Sequence, residues 1–255
     1  MYNLAIDVGN TNTHIGLFSK KLVKTSAFPT HNSSLIKDSE DIFSILNNNK
    51  IKNCAIASVV PDYEKFWDNF IGIKFNIPPL IINNKTLLPI KIKVKNSNLL
   101  GADRICNAVC GYNYFGGKHN VIVIDLGTAT TYNVILKNGD FIGGIIAPGI
   151  RTAAKSLNIY TGKLPLLNEE NLVFPRFVIG DNTTAAIQSG LMNSSLHALE
   201  GIVKAIKKEK KREFKTIITG GLAKPFQKRL EFNPVYIENS VLIGLNQIMD
   251  YISKN

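Results

Sequence analysis

An Asp-x-Gly turn between two apolar strands occurs twice in this chain, and the repeat constrains the fold more than any other feature. Residues 4–11 read Leu-Ala-Ile-Asp-Val-Gly-Asn-Thr, and residues 122–129 read Ile-Val-Ile-Asp-Leu-Gly-Thr-Ala. A second apolar alternation follows each turn: Ile15-Gly16-Leu17-Phe18 in the first copy, Tyr132-Asn133-Val134-Ile135 in the second. Alternation on both sides of a glycine turn predicts a strand, a tight turn and a returning strand. Glycine lets a bound group approach the backbone, and free N–H groups and hydroxyls donate to anionic oxygens. An Asp at the strand end offers a carboxylate to a metal that travels with phosphates. One such turn says little, because Asp and Gly make ordinary turns. Two copies, each opening a half of the chain, point to a duplicated fold that clamps one polyphosphate.

The remaining elements fit an α/β chain that repeats its own order. Strands are expected over residues 3–9, 13–18, 22–28 and 53–59, with short ones at 79–82 and 90–94. Helices are expected over 38–47, from Pro61, and over 99–115, which Gly116-Gly117 ends. The second half gives strands at 120–124, 131–136, 141–147 and 215–219, and an extended stretch at 235–237. Its helices are expected at 150–157, 183–208, 222–229 and 240–252, with a long loop over 158–178. Asn182 is the expected N-cap of the longest helix. Strands and helices in this recurring order predict tandem α/β domains over 1–117 and 118–255.

At 255 residues each half can bury a core of its own. No 18-residue apolar stretch occurs, which argues against a membrane span, and no basic, then apolar leader opens the chain. The chain therefore reads as cytoplasmic and membrane-free. Its net charge is +11, from 30 Lys and Arg against 19 Asp and Glu. That excess attracts anionic ligands such as ATP, although most lysines read as a solvated surface. The densest basic run, Lys207 to Arg212, suits a helix C-terminus. No nucleic-acid motif accompanies it, so no nucleic-acid partner is expected. The cysteines number 3, Cys54, Cys106 and Cys110. They show no zinc spacing with the histidines, and they fit a reducing compartment.

Further segments carry possible chemistry. Gly101-Ala102-Asp103-Arg104 opens a helix after a polar turn. An Asp in a first turn is ordinary capping chemistry. It is also the residue a kinase uses to orient an alcohol and accept its proton, and Arg offers a fork for a carboxylate. Gly143-Gly144 with Pro148-Gly149, and Gly180-Asp181-Asn182-Thr183 before the long helix, are tight turns that a ligand could approach. Gly220-Gly221 follows a strand and leaves room for a flat adenine or ribose.

Taken in order and spacing, these segments resemble type III pantothenate kinases. The resemblance runs from about residue 7 to residue 245. It implies two ribonuclease-H-like (actin-like ATPase) domains with an interdomain cleft, and ATP-dependent phosphorylation of pantothenate in coenzyme A synthesis. It implies that Asp103 is the proton acceptor and that Gly101, Ala102, Asp103, Arg104 and Thr183 bind pantothenate; the charge and fork of Arg104 make it the candidate for the pantothenate carboxylate. It further implies that Asp7, Val8, Gly9, Asn10, Thr11, Asn12, Thr13, His14 and Thr128 bind ATP, with Gly220 and Gly221 beneath the nucleoside. Asp125 would hold a monovalent cation, K⁺ or NH₄⁺, and Asp7 would stand nearest Mg²⁺, directly or through water. A homodimer is implied as well. The sequence departs from the family pattern at Val94, where many relatives have Tyr, and at Asp181, where Lys or Arg is common. The alternatives are a non-catalytic regulatory relative, or a kinase for another small alcohol.

Overall fold

The structure, a computed structural model, describes residues 1–31, 43–44 and 51–255. The helix expected over 38–47 lies outside the described residues apart from Phe43 and Ser44. The chain forms two compact units: residues 1–117 with 138–142 and 239–255, and residues 118–137 with 143–238.

In the first unit, β1 (Tyr2–Val8), β2 (Asn12–Phe18), β3 (Leu22–Pro29), β4 (Ile51–Ser58) and β5 (Leu80–Ile81) form a sheet of order β3-β2-β1-β4-β5. β1 runs antiparallel to β2 and parallel to β4. The sheet buries Leu4, Ile6, Ile15, Leu17 and Ile56 against Trp67 and Ile71 of α1 (Pro61–Phe75). Pro61 opens that helix where no N–H is needed. Apolar residues on both faces of β1 require cover on both sides. The second cover is α2 (Ala102–Tyr114) packed on the C-terminal helix (Ser240–Ile252).

In the second unit the strands are β7 (Val121–Leu126), β8 (Ala129–Ile135), β9 (Asp140–Pro148), β10 (Lys215–Thr219) and β11 (Val235–Tyr236). Their order is β9-β8-β7-β10-β11, with β7 antiparallel to β8 and parallel to β10. Strand for strand this repeats the first sheet, so the duplication extends to topology. β9 begins in the first unit, where Lys91 and Ile92 (β6) pair with Asp140 and Phe141. The helices here are α3 (Ile150–Tyr160), α4 (Thr183–Lys210) and α5 (Ala223–Gln227), and the C-terminal helix becomes α6.

Several boundaries differ from expectation. Residues 97–99 form a separate 3₁₀ turn, and α2 starts at Ala102, because Asn96 is left-handed and Leu100 extended. α3 runs on to Tyr160, and residues 169–171 make a 3₁₀ turn inside the stretch expected to be loop. α5 is cut to five residues.

Candidate functional site

The first Asp-x-Gly turn joins β1 to β2. Asp7 sits opposite His14 and Val8 opposite Thr13. The turn closes with Gly9 N–H donating to Asn12 O at 3.0 Å, which leaves Asn10 and Thr11 exposed. A residue that no motif marks holds this turn from behind. Thr30 is fully buried; its hydroxyl donates to Gly9 O at 2.7 Å and meets the Thr13 hydroxyl at 3.0 Å. Its own N–H donates to Thr11 O at 2.9 Å. Burial lowers the His14 pKa, so the imidazole facing Asp7 is neutral at physiological pH.

Asp103 lies in the first turn of α2. Its carboxylate folds back over Gly101: a Cβ on Gly101 would come 2.4 Å from Asp103 Oδ1. A side chain at Gly101 would therefore displace this carboxylate. Oδ1 accepts the Arg104 N–H at 2.8 Å. Burial pushes the Asp103 pKa up, while that hydrogen bond and the Arg104 charge pull it part of the way back. The Arg104 guanidinium lies 5.8 Å from the centre of the buried Phe141 ring, a cation–π contact. The buried Cys106 thiol is pushed well above its ordinary pKa, first by burial and then by the charges of Asp7 and Asp103. One turn beyond Asp103, the Ser240 hydroxyl donates to the fully buried Asn107 Oδ1, tying α2 to α6.

The second unit repeats the turn. Asp125 ends β7 opposite Thr131 on one side and Thr219 on the other. Gly127 N–H donates to Ala129 O, two residues on, at 3.1 Å, where Gly9 in the first copy donates three residues on, to Asn12 O. Gly220, at φ +95°, crosses directly over the strand end: a Cβ there would lie 2.5 Å from Asp125 Oδ1. A side chain of any size at Gly220 is excluded both by that contact and by its backbone angle. Gly149 packs just as closely, its hypothetical Cβ 2.2 Å from Gly127 O. Its N–H and the Thr152 hydroxyl both donate to Thr128 O, at 3.1 and 2.6 Å. Asp125, Gly127, Thr128, Gly149 and Gly220-Gly221 therefore form one cradle.

The profile of the type III pantothenate kinase family matches residues 3–205. The chain belongs to the type III pantothenate kinase family. The family's enzyme from Agathobacter rectalis is 36% identical over 253 residues, spanning 96% of this chain and 95% of its own. The one from Sulfurihydrogenibium is 35% identical over 250 residues, spanning 95% and 97%. Among solved structures, the ADPNP-bound activator of 2-hydroxyisocaproyl-CoA dehydratase from Clostridium difficile superimposes at TM-score 0.55 and 12% identity, covering 100% of this chain and 98% of that one. A candidate N-acetylmannosamine kinase from Listeria monocytogenes does so at 0.60 and 12%, covering both chains fully. At such identities the likeness speaks for the fold alone, a duplicated ribonuclease-H-like α/β fold.

Thr183 belongs to the second unit and opens α4, whereas Gly101–Arg104 belong to the first. Asn182 caps that helix, its Oδ1 accepting Ala185 N–H at 3.0 Å. Thr183 lines an open groove of about 790 Å³ with Ser156, Leu157 and Gly180. Among the described residues no group of three or more His, Cys, Asp or Glu could hold a metal ion. Single carboxylates in glycine turns fit cations that keep most of their ligands from phosphate, water and backbone, as Mg²⁺ does in nucleotide sites. Among the described residues no helix is long and apolar enough to cross a membrane.

Proposed function

We propose that this chain phosphorylates pantothenate with ATP, the first step of coenzyme A synthesis, with Asp103 as proton acceptor. Family membership supports the reaction. The observation that supports the residue assignment is the Asp103 carboxylate itself, held over Gly101 in the first turn of α2 and raised in pKa by burial.

Each group has a definite task. Exposed N–H and hydroxyl donors of residues 10–12, and Thr128 in the second turn, bind phosphate oxygens. Asp7 holds Mg²⁺, directly or through water, and Asp125 holds a monovalent cation, K⁺ or NH₄⁺. When bound, these ions neutralise phosphate charge. Gly220-Gly221 gives the nucleoside a flat backbone to lie on. Asp103 orients the primary hydroxyl of pantothenate and takes its proton as the γ-phosphoryl group arrives. Raised by burial, its pKa makes it a better proton acceptor than a solvated carboxylate. Gly101 and Ala102 complete its segment, Arg104 takes the substrate carboxylate through its planar fork, and Thr183 contributes a hydroxyl. Positioning and charge neutralisation dominate phosphoryl transfer, so most of these residues do no covalent chemistry. We place the enzyme in the cytoplasm as a homodimer. The exposed Phe177, Val178 and Ile179, at 68%, 73% and 88%, support a partner-covered surface. The duplication divides at residues 117 and 118.

ADP release by purified protein, with Mg-ATP and pantothenate in potassium or sodium salt, tests this. Pantothenate-dependent release, faster in potassium and insensitive to the salt in Asp125→Asn, is expected. Release that ignores pantothenate, or is absent while ATP binds, would move the assignment to another alcohol or to a regulatory protein.

A further inference from the structure

Beside the Asp125 cradle stands an arginine to which neither motif nor resemblance gives a role. Arg151 lies in the first turn of α3, two residues after Gly149. A cation there faces the positive end of the helix dipole, where an anion is favoured instead. Its guanidinium covers Gly221: a Cβ built on Gly221 would lie 3.3 Å from Arg151 Nη1. Through Gly149 N–H and the Thr152 hydroxyl, both bonded to Thr128 O, the same helix start is fixed on the second phosphate turn. Arg151 thus stands next to the Thr128 turn and to Gly220-Gly221 at once. Its guanidinium meets the Glu169 carboxylate, with Nε 2.8 Å from Oε1. That Nε is buried yet makes no hydrogen bond, so the two charges attract without an aligned donor. The Glu169 side chain is 74% exposed, and such a pair contributes little.

We infer that Arg151 is a nucleotide-binding residue. Its guanidinium takes oxygens of the phosphate chain between the Thr128 turn and the nucleoside, and Glu169 is the anion it holds until phosphate displaces it. A planar fork matches phosphate in two-point contact, and phosphate brings more charge than one solvated carboxylate. The inference rests on the proposal that this cradle holds ATP.

The test is calorimetric titration of the full chain with ADP and with adenosine, together with steady-state kinetics. Arg151→Gln is expected to weaken ADP binding roughly 10- to 100-fold, the worth of a charged hydrogen bond, and to leave adenosine binding unchanged. KM for ATP rises in step while KM for pantothenate stays. Arg151→Lys falls between, since it keeps charge and loses the fork. Glu169→Gln tightens ADP by removing the competing carboxylate. Equal loss of ADP and adenosine, or weaker ADP binding in Glu169→Gln, would make the pair merely structural and overturn the inference. Unchanged ADP binding in Arg151→Gln also overturns it, with the ATP cradle intact. Failure of the wild-type chain to bind ADP removes the nucleotide reading itself.

Discussion

Asp103 holds a carboxylate where its surroundings oppose a charge, and stability and activity pull on it in opposite directions. Because burial raises its folded-state pKa, the folded chain keeps that proton to higher pH than the unfolded one. Stability therefore falls as pH rises from the ordinary carboxylate value through the raised one, and the loss persists above it. Asp103→Asn removes this penalty: its melting temperature at neutral pH should exceed that of the wild type, with the gap closing in acid. In its proposed role activity runs the other way, since a base must be ionised; kcat/KM should rise with pH through the raised value. The same variant should lose ~10²–10⁴ in kcat and keep ATP binding. Wild-type turnover in Asp103→Asn would remove it from the base role. The local contacts of Asp103 are legible in the sequence because Gly101 and Arg104 are close neighbours in it. Those of Thr30 are not, because its bonds to Gly9, Thr11 and Thr13 close only once three strands are side by side. Thr30→Val keeps the shape and leaves Gly9 O unpaired, at a cost of about 1–3 kcal/mol. Urea unfolding measures that cost, and KM for ATP should rise with it.

At the scale of elements, α2 carries the acid and α6 holds α2. Gly244 lets the two helices touch: a Cβ there would lie 2.1 Å from Cys106 O, with the Ser240–Asn107 bond nearby. Backbone cannot yield as a side chain can. Gly244→Ala should therefore force the helices apart, cost about 1–3 kcal/mol and lower kcat by moving Asp103. An unchanged denaturation midpoint would show that the contact relaxes freely. The hairpins, the N-cap at Asn182 and the βα turn at Gly220 were legible because each is fixed by residues close in sequence. The start of α2 was not. Its apolar pattern extends back to Leu99, but the left-handed Asn96 and extended Leu100 break the backbone there. Periodicity records which side chains are buried, and it does not record the dihedral angles that stop a helix.

At the scale of the molecule, the chain's last helix completes its first unit. The periodicity of α6 announces an apolar face and cannot say which sheet receives it. In the structure α6 covers β1, β2 and β4. It buries Val241, Leu242, Leu245, Ile248 and Met249, and supplies Asn246 and Asp250 to the Asn3 side chain of β1, at 2.9 and 3.2 Å. At roughly 1.5–3 kcal/mol per buried side chain, the five apolar residues contribute on the order of 10 kcal/mol. A domain's whole stability is about 5–15 kcal/mol. A chain ending at Glu238 would thus expose the face of β1 opposite Trp67 and leave Asn3 without these partners. It should lose the cooperative thermal transition of the first unit and any turnover that depends on Asp103. Residues 118–137 and 143–238 form the other compact unit, so their amide hydrogens should exchange more slowly than those of residues 2–18 in the same truncated chain. Hydrogen exchange read by mass spectrometry decides it. Equal and native-like protection in both segments would mean that α6 is dispensable to the sheet bearing Asp7.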